Sequence, residues 1–132
     1  MMPGMNKSLA SSSVTVFGIP NCATVKKARG WLAEQAVDYV FHDFKKLGVP
    51  ADLVPVWNAA LGWEKLLNRK GSTWRKLDVT TQAGVIDAAT ASALILAQPS
   101  VIKRPVVMWH DGSVTVGFEP QAWKARLRQA AG

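Results

Sequence analysis

Val14-Thr15-Val16-Phe17-Gly18-Ile19-Pro20-Asn21-Cys22-Ala23-Thr24-Val25-Lys26-Lys27-Ala28-Arg29-Gly30-Trp31-Leu32 passes from a strand to a helix, and the chain's one cysteine stands at the change. Val14 to Ile19 is β-branched and aromatic, Pro20-Asn21 breaks the run, and from Ala23 the apolar residues recur at helical spacing. Cys22 therefore falls at a helix N-terminus. There, unpaired backbone N–H groups and the positive end of the helix dipole favour a thiolate, and Lys26 and Lys27 add positive charge one turn on. The thiolate, not the thiol, is the nucleophile. A lone cysteine also serves elsewhere as a small buried apolar residue. The strand–Pro–Asn–Cys–helix setting favours the reactive reading.

At 132 residues the chain suits one domain, expected over residues 14–130. With a single cysteine it forms no internal disulfide, which points to packing for stability and to a reducing cytoplasm. No run of about 18 apolar residues is present, so a membrane-spanning helix is not expected. Residues 1–13 form a short segment rich in small and polar residues, lack the apolar core of a signal peptide, and read as a disordered leader or a start-site artefact. Sixteen basic against nine acidic residues give a formal charge of +7, suited to an acidic small molecule, an acidic protein or non-specific nucleic acid.

Beyond the first helix, which should end near Gln35, strand and helix signals alternate. Asp38 to Phe44 reads as a second strand, parallel to the first because a helical crossover separates them. Gly48-Val49-Pro50 breaks the chain, with Pro50 suited to the first position of a helix through Leu53, Val54, Trp57 and Leu61 that Gly62 ends. Short helical pieces follow: Trp63 to Leu67, Trp74 to Leu77, Gln82 to Ile86 and Ala88 to Ala97, stopped by Pro99. Val106 to Trp109 and Val114 to Phe118, joined by Asp111-Gly112, read as an antiparallel hairpin, and Pro120 to about Gln129 as a closing helix. The expected fold class is α/β: a thioredoxin-like β-α-β … β-β-α order with a mixed four-stranded sheet and a helical insertion over about 50–98. In that arrangement Cys22 lies at the carboxyl end of a parallel strand, where open α/β sheets bind ligands. Arg104-Pro105 directly precedes a strand, a position that tolerates proline and admits a cis bond.

Phe17 to Ala28, Phe41-His42-Asp43-Phe44, Leu61 to Asn68, Gly71 to Leu77, Ile102-Lys103-Arg104-Pro105-Val106 and Val116-Gly117-Phe118 occur in an order and spacing that resemble the ArsC-type arsenate reductase family, and within it the YffB-like branch. The resemblance spans about Val14 to Leu127. It implies a thioredoxin-like fold, a cis Arg-Pro bond at Arg104-Pro105 and a nucleophilic cysteine at Cys22. Reductases of this family attack arsenate with that cysteine, pass the oxidised product to glutathione and glutaredoxin, and hold the anion with three arginines. The first corresponds to Arg69, with Lys70 an equal match and Arg75 a possible substitute; the second is Arg104. The third position, thirteen residues after Arg104, is Gly117. That departure disfavours arsenate and fits the YffB-like branch, whose resemblance implies glutathione as co-substrate with no bound cofactor. Glutathione or a small-molecule thiol would then meet Cys22, Thr24, Lys26, Arg69 or Lys70, and Arg104. With no second cysteine, an external thiol must resolve the adduct. Thr24 offers a hydroxyl to the thiolate or caps the helix, the latter being the expected role.

Other residues draw plainer readings. His42 and His110 have no partners at metal-ligand spacing, so no metal is expected, and His42 reads as an ordinary strand-end residue. Trp31, Trp57 and Trp123 fall on apolar helix faces and suit a core, while Trp74 is a candidate site wall. Lys124, Arg126 and Arg128 read as a solvated helix face. The competing class is an Spx-like regulator, whose resemblance implies binding to an RNA polymerase subunit; such regulators carry Cys-x-x-Cys, whereas here Val25 follows Cys22 at that spacing. No nucleic-acid-binding motif accompanies the charge, so no specific nucleic acid and no membrane partner is expected, and the chain is expected to be a monomer.

Overall fold

In the computed structural model, which describes residues 14–131, the chain follows the order β1 (Val14–Gly18), α1 (Ala23–Glu34), β2 (Tyr39–Asp43), α2 (Phe44–Leu47), α3 (Val54–Leu61), α4 (Trp63–Leu66), α5 (Ser72–Lys76), α6 (Val79–Ala83), α7 (Ala88–Ala97), a 3-10 turn (Pro99–Val101), β3 (Val106–Met108), β4 (Val114–Val116) and α8 (Pro120–Ala131). The leader expected over residues 1–13 lies outside the described residues. The four strands form one mixed sheet in the order β2-β1-β3-β4. β1 runs parallel to β2, with Val16 opposite Phe41, and antiparallel to β3, with Val16 opposite Val107. β3 and β4 form the expected hairpin. Among the described residues no helix is long and apolar enough to cross a membrane.

Strand alternation divides the core into two layers. Val14, Val16 and Val107 face α1 and α8, where Ala28, Leu32 and Trp123 complete one cluster with Trp109. Phe17, Val106, Val114 and Val116 face the other way and are covered by the helices between β2 and β3, through Trp57, Leu66, Leu94 and Ile95. Without those helices, one whole apolar face of the sheet would be bare. Trp57 packs its edge on Phe17 at 4.9 Å, and Trp123 meets Trp109, Phe118 and Trp31 at 5.0 to 5.9 Å, all edge-on. Trp31 is half-buried at the margin of the same cluster.

Several boundaries differ from the sequence reading, each for a local reason. Phe44 leaves β2 because the Asp43 carboxylate accepts from the Lys45 N–H at 2.8 Å, capping α2. Pro50 does not begin α3: its carbonyl accepts from the Leu53 N–H in a preceding turn, and the proline of the first helical turn is Pro55. The Trp74 segment begins earlier, at Ser72. The next helix covers Val79–Ala83 instead of Gln82 to Ile86 because Asp78 caps it, accepting from the Thr81 N–H at 2.7 Å. β4 stops at Val116, since Gly117 turns to φ +82° and donates its N–H to the Pro105 carbonyl. Arg126 is no free member of a solvated face. Its guanidinium lies 5.2 Å from the Trp109 ring centre and 3.9 Å from the Asp111 carboxylate in the hairpin turn.

Candidate active site around Cys22

Pro20 and Asn21 end β1 in a tight turn, closed by the Cys22 N–H donating to the Ile19 carbonyl, and Cys22 takes the N-cap of α1 in an extended conformation. No side chain caps this helix, so its first N–H groups point toward whatever stands before them. What stands there is the Cys22 sulfur. Burial by itself pushes the thiol pKa up and is the largest single influence. The N–H of Val25, the Arg104 guanidinium, the N–H of Thr24 and the positive charge of Arg104 together outweigh it, and the net result is a lowered pKa. Thr24 thus contributes through its backbone and is not the expected side-chain cap. Lys26 is not among the groups that hold the thiolate.

Arg104 reaches this position through the far end of the inserted helices. The Asn68 N–H donates to the Val101 carbonyl and the Lys103 N–H to the Leu66 carbonyl, both at 2.8 Å, and Leu67 bridges Ile102. These bonds clamp the segment before β3 against the chain after α4. The Arg104–Pro105 peptide bond is cis. Arg104 donates through Nη1 to the carbonyls of Ser100 at 3.0 Å and Ile102 at 3.4 Å, which orients its guanidinium. Its Nε is buried and has no hydrogen-bond partner. A buried donor without a partner is uncommon in folded proteins.

Cys22, Thr24, Asn68, Lys103, Arg104 and Gly117 line one open cavity of about 300 Å³, with Val116, Phe118 and Glu119 completing its wall. Of the residues singled out from sequence, Cys22, Thr24 and Arg104 come together here. Lys26, Arg69 and Lys70 do not line it: all three are exposed, and the Arg69 guanidinium instead lies 5.8 Å from the Trp63 ring centre. Arg75 is exposed on α5, and Trp74 packs partly buried against the core under the insertion, so it forms no wall of this site. His42 lies tilted against Phe17 with ring centres 5.1 Å apart, and its Nε2 is 2.9 Å from the Gly48 carbonyl, a structural role.

Asn68, Lys103 and Glu119 are lining residues that the sequence reading missed. Asn68 is placed by Gly71, since a Cβ there would come within 2.7 Å of the Asn68 amide nitrogen. The Asn68-to-Gly71 loop was the available signal, but it drew attention to its cations, Arg69 and Lys70. Among the described residues no group of three His, Cys, Asp or Glu is placed to hold a metal ion.

A parallel β1-α1-β2 unit, an antiparallel β3-β4 hairpin, a cis proline entering β3 and a cysteine at the first helix N-cap define a thioredoxin-like α/β domain with a helical insertion. The chain belongs to the ArsC family, whose model matches residues 17–126. Its structure is similar to that of the YffB protein, at 46% identity over 85% of this chain and 96% of that one, with a TM-score of 0.79. It is also similar to the solution structure of an arsenate reductase related protein from Brucella melitensis, at 49% identity over 86% and 92% of the two chains, with a TM-score of 0.68. A global transcriptional regulator, Spx of Streptococcus pyogenes, is 28% identical over 86% of this chain and 84% of its own.

Proposed function

We propose that this chain is a monothiol oxidoreductase that uses Cys22 to reduce glutathione-linked disulfides, with glutathione as co-substrate. The observation that carries this reading is the Cys22 sulfur at the α1 N-cap beside Arg104, with its anion favoured despite partial burial. In the first step the Cys22 thiolate attacks the glutathione sulfur of a mixed disulfide. A Cys22–glutathione disulfide forms, the original S–S bond breaks, and the substrate leaves as a thiolate that takes a proton from water. In the second step an external glutathione thiolate attacks that adduct, releasing oxidised glutathione and the Cys22 thiolate. The chain has no other cysteine to resolve the adduct internally. Arg104 accompanies the anion through both steps, its guanidinium supporting the Cys22 thiolate by hydrogen bond and by charge. A reducing, cytoplasmic setting suits the reaction, with glutaredoxin an alternative acceptor of the adduct.

Arsenate reduction is the second reading, favoured by the related Brucella melitensis protein. Against it stands Gly117, where the arsenate reductase resemblance calls for a third arginine. A non-enzymatic regulator of the Spx type, one that binds an RNA polymerase subunit, is the reading from another class, favoured by the Spx relatives. The absence of a second cysteine argues against a disulfide switch built like theirs. NADPH consumption coupled through glutathione reductase separates the three. Turnover of a glutathione mixed disulfide, lost in Cys22→Ser, is the expected result. Arsenate turnover alone would establish the second reading, and no turnover of either would favour the regulator.

A further inference from the structure

The rim of the Cys22 cavity carries charges that the thiol chemistry above leaves unused. Lys103 and Glu119 both line it, both are exposed, and among the described residues neither takes part in an ion pair. Gly117 lines the same cavity. Its φ of +82° is strained for any residue with a side chain, and the Lys103 Cε lies 3.5 Å from where a Cβ on Gly117 would stand. The lysine stem therefore borders the space that a side chain at Gly117 would enter. Lys103 thus brings a cation to the cavity rim beside Gly117, and Glu119, two residues beyond Gly117, brings a carboxylate to the same rim.

This pairing changes what the rim can recognise. A purely anionic ligand gains from Lys103 and loses to Glu119. A zwitterionic group, with carboxylate and ammonium on one carbon, gains from both. We propose that Lys103, beside Gly117, and Glu119 form a recognition site for the α-amino-acid end of the thiol co-substrate, with its carboxylate at Lys103 and its ammonium at Glu119. The inference rests on the monothiol reading of Cys22 and adds the part of the ligand that the cavity selects. Glutathione carries such an end on its γ-glutamyl residue.

The test is glutathionylation of Cys22 in the full chain, followed by mass spectrometry. The Cys22 thiolate attacks one sulfur of oxidised glutathione, the S–S bond breaks, and one glutathione thiolate departs and is protonated by water. Rates are compared with those for hydroxyethyl disulfide, which has the same reacting bond and no charge, in the parent protein, Lys103→Met and Glu119→Gln. Taking the ratio of the two rates cancels changes in thiolate reactivity. The ratio should fall roughly tenfold in each variant, as expected for one lost charge-assisted contact. Acetylating the α-amines of oxidised glutathione should slow the parent protein and leave Glu119→Gln no slower than before. An unchanged ratio in either variant, with Cys22 still reacting, overturns this inference and leaves the monothiol reading standing. Failure of the parent Cys22 to react with either disulfide overturns both.

Discussion

At the scale of single residues, Cys22 is the site of a contest between burial, which resists charge, and three donors that support it. The donors win, and two of them are backbone N–H groups that no side-chain substitution removes. The rate of Cys22 alkylation should therefore rise with pH to a midpoint below the free-cysteine value of about 8.5. Arg104→Ala should raise that midpoint, because it removes both a hydrogen bond and a charge. Arg128→Ala, exposed on α8, should leave it in place. A midpoint at or above the free value in the parent protein would contradict the activated thiolate. The same shift has a consequence for stability. In the pH window between the lowered folded pKa and the unfolded value, the unfolded chain holds a proton that the folded chain has lost, so stability rises with pH. It is fully present above the unfolded pKa and disappears as pH falls through the folded one.

At the scale of elements, the joint between β1 and α1 decides where the sulfur sits. A Cβ on Gly18 would stand 2.8 Å from a methyl of Val25, and Val25 is fully buried in the first turns of α1. Glycine here is a matter of space, and it lets the helix start close against the strand end. Gly18→Ala should destabilise the fold by about 1–3 kcal/mol in urea unfolding, the usual range for overpacking a tight site. The Gly18→Ala/Val25→Ala double variant should be more stable than the sum of the single losses predicts, since removing the valine methyls relieves the clash. Strict additivity would show that the two residues do not meet.

At the scale of the whole molecule, the inserted helices do two jobs with one set of residues. They cover the second face of the sheet, and their end at Leu66-Leu67-Asn68 clamps the chain that carries Lys103 and Arg104. Trp57 is the largest fully buried side chain in that cover and packs against Phe17 and Phe44. Trp57→Ala should cost about 3–5 kcal/mol in denaturant unfolding, whereas Val79→Ala, on an exposed position of α6, should change stability by less than about 0.5 kcal/mol. Comparable losses in the two variants would mean that the insertion is not part of the core. Much of this architecture was legible in the chain. Val14 to Leu32 specifies strand, break, cysteine and helix through local periodicity and Pro20-Asn21, and Ala88 to Ala97 reads as a helix with the observed limits. Local chemistry also determined that a thiol would meet a helix N-terminus, because that juxtaposition lies within one turn of chain. The start of α6 was legible too, had Asp78 been read as a cap. Which cations would meet the thiol was different. Arg69 and Lys70 resembled the family pattern, yet the Asn68-to-Gly71 loop turns Asn68 into the cavity and lays Arg69 over Trp63. Bringing Asn68 and Lys103 to the thiol depends on contacts between segments more than thirty residues apart, Asn68 to Val101 and Leu66 to Lys103, formed only when the insertion packs on the sheet. Sequence determined the nucleophile and its helix, through interactions between chain neighbours, and the family resemblance pointed to Arg104; the tertiary structure decided the remaining charged surroundings, because distant segments had to pack before those charges could share one cavity.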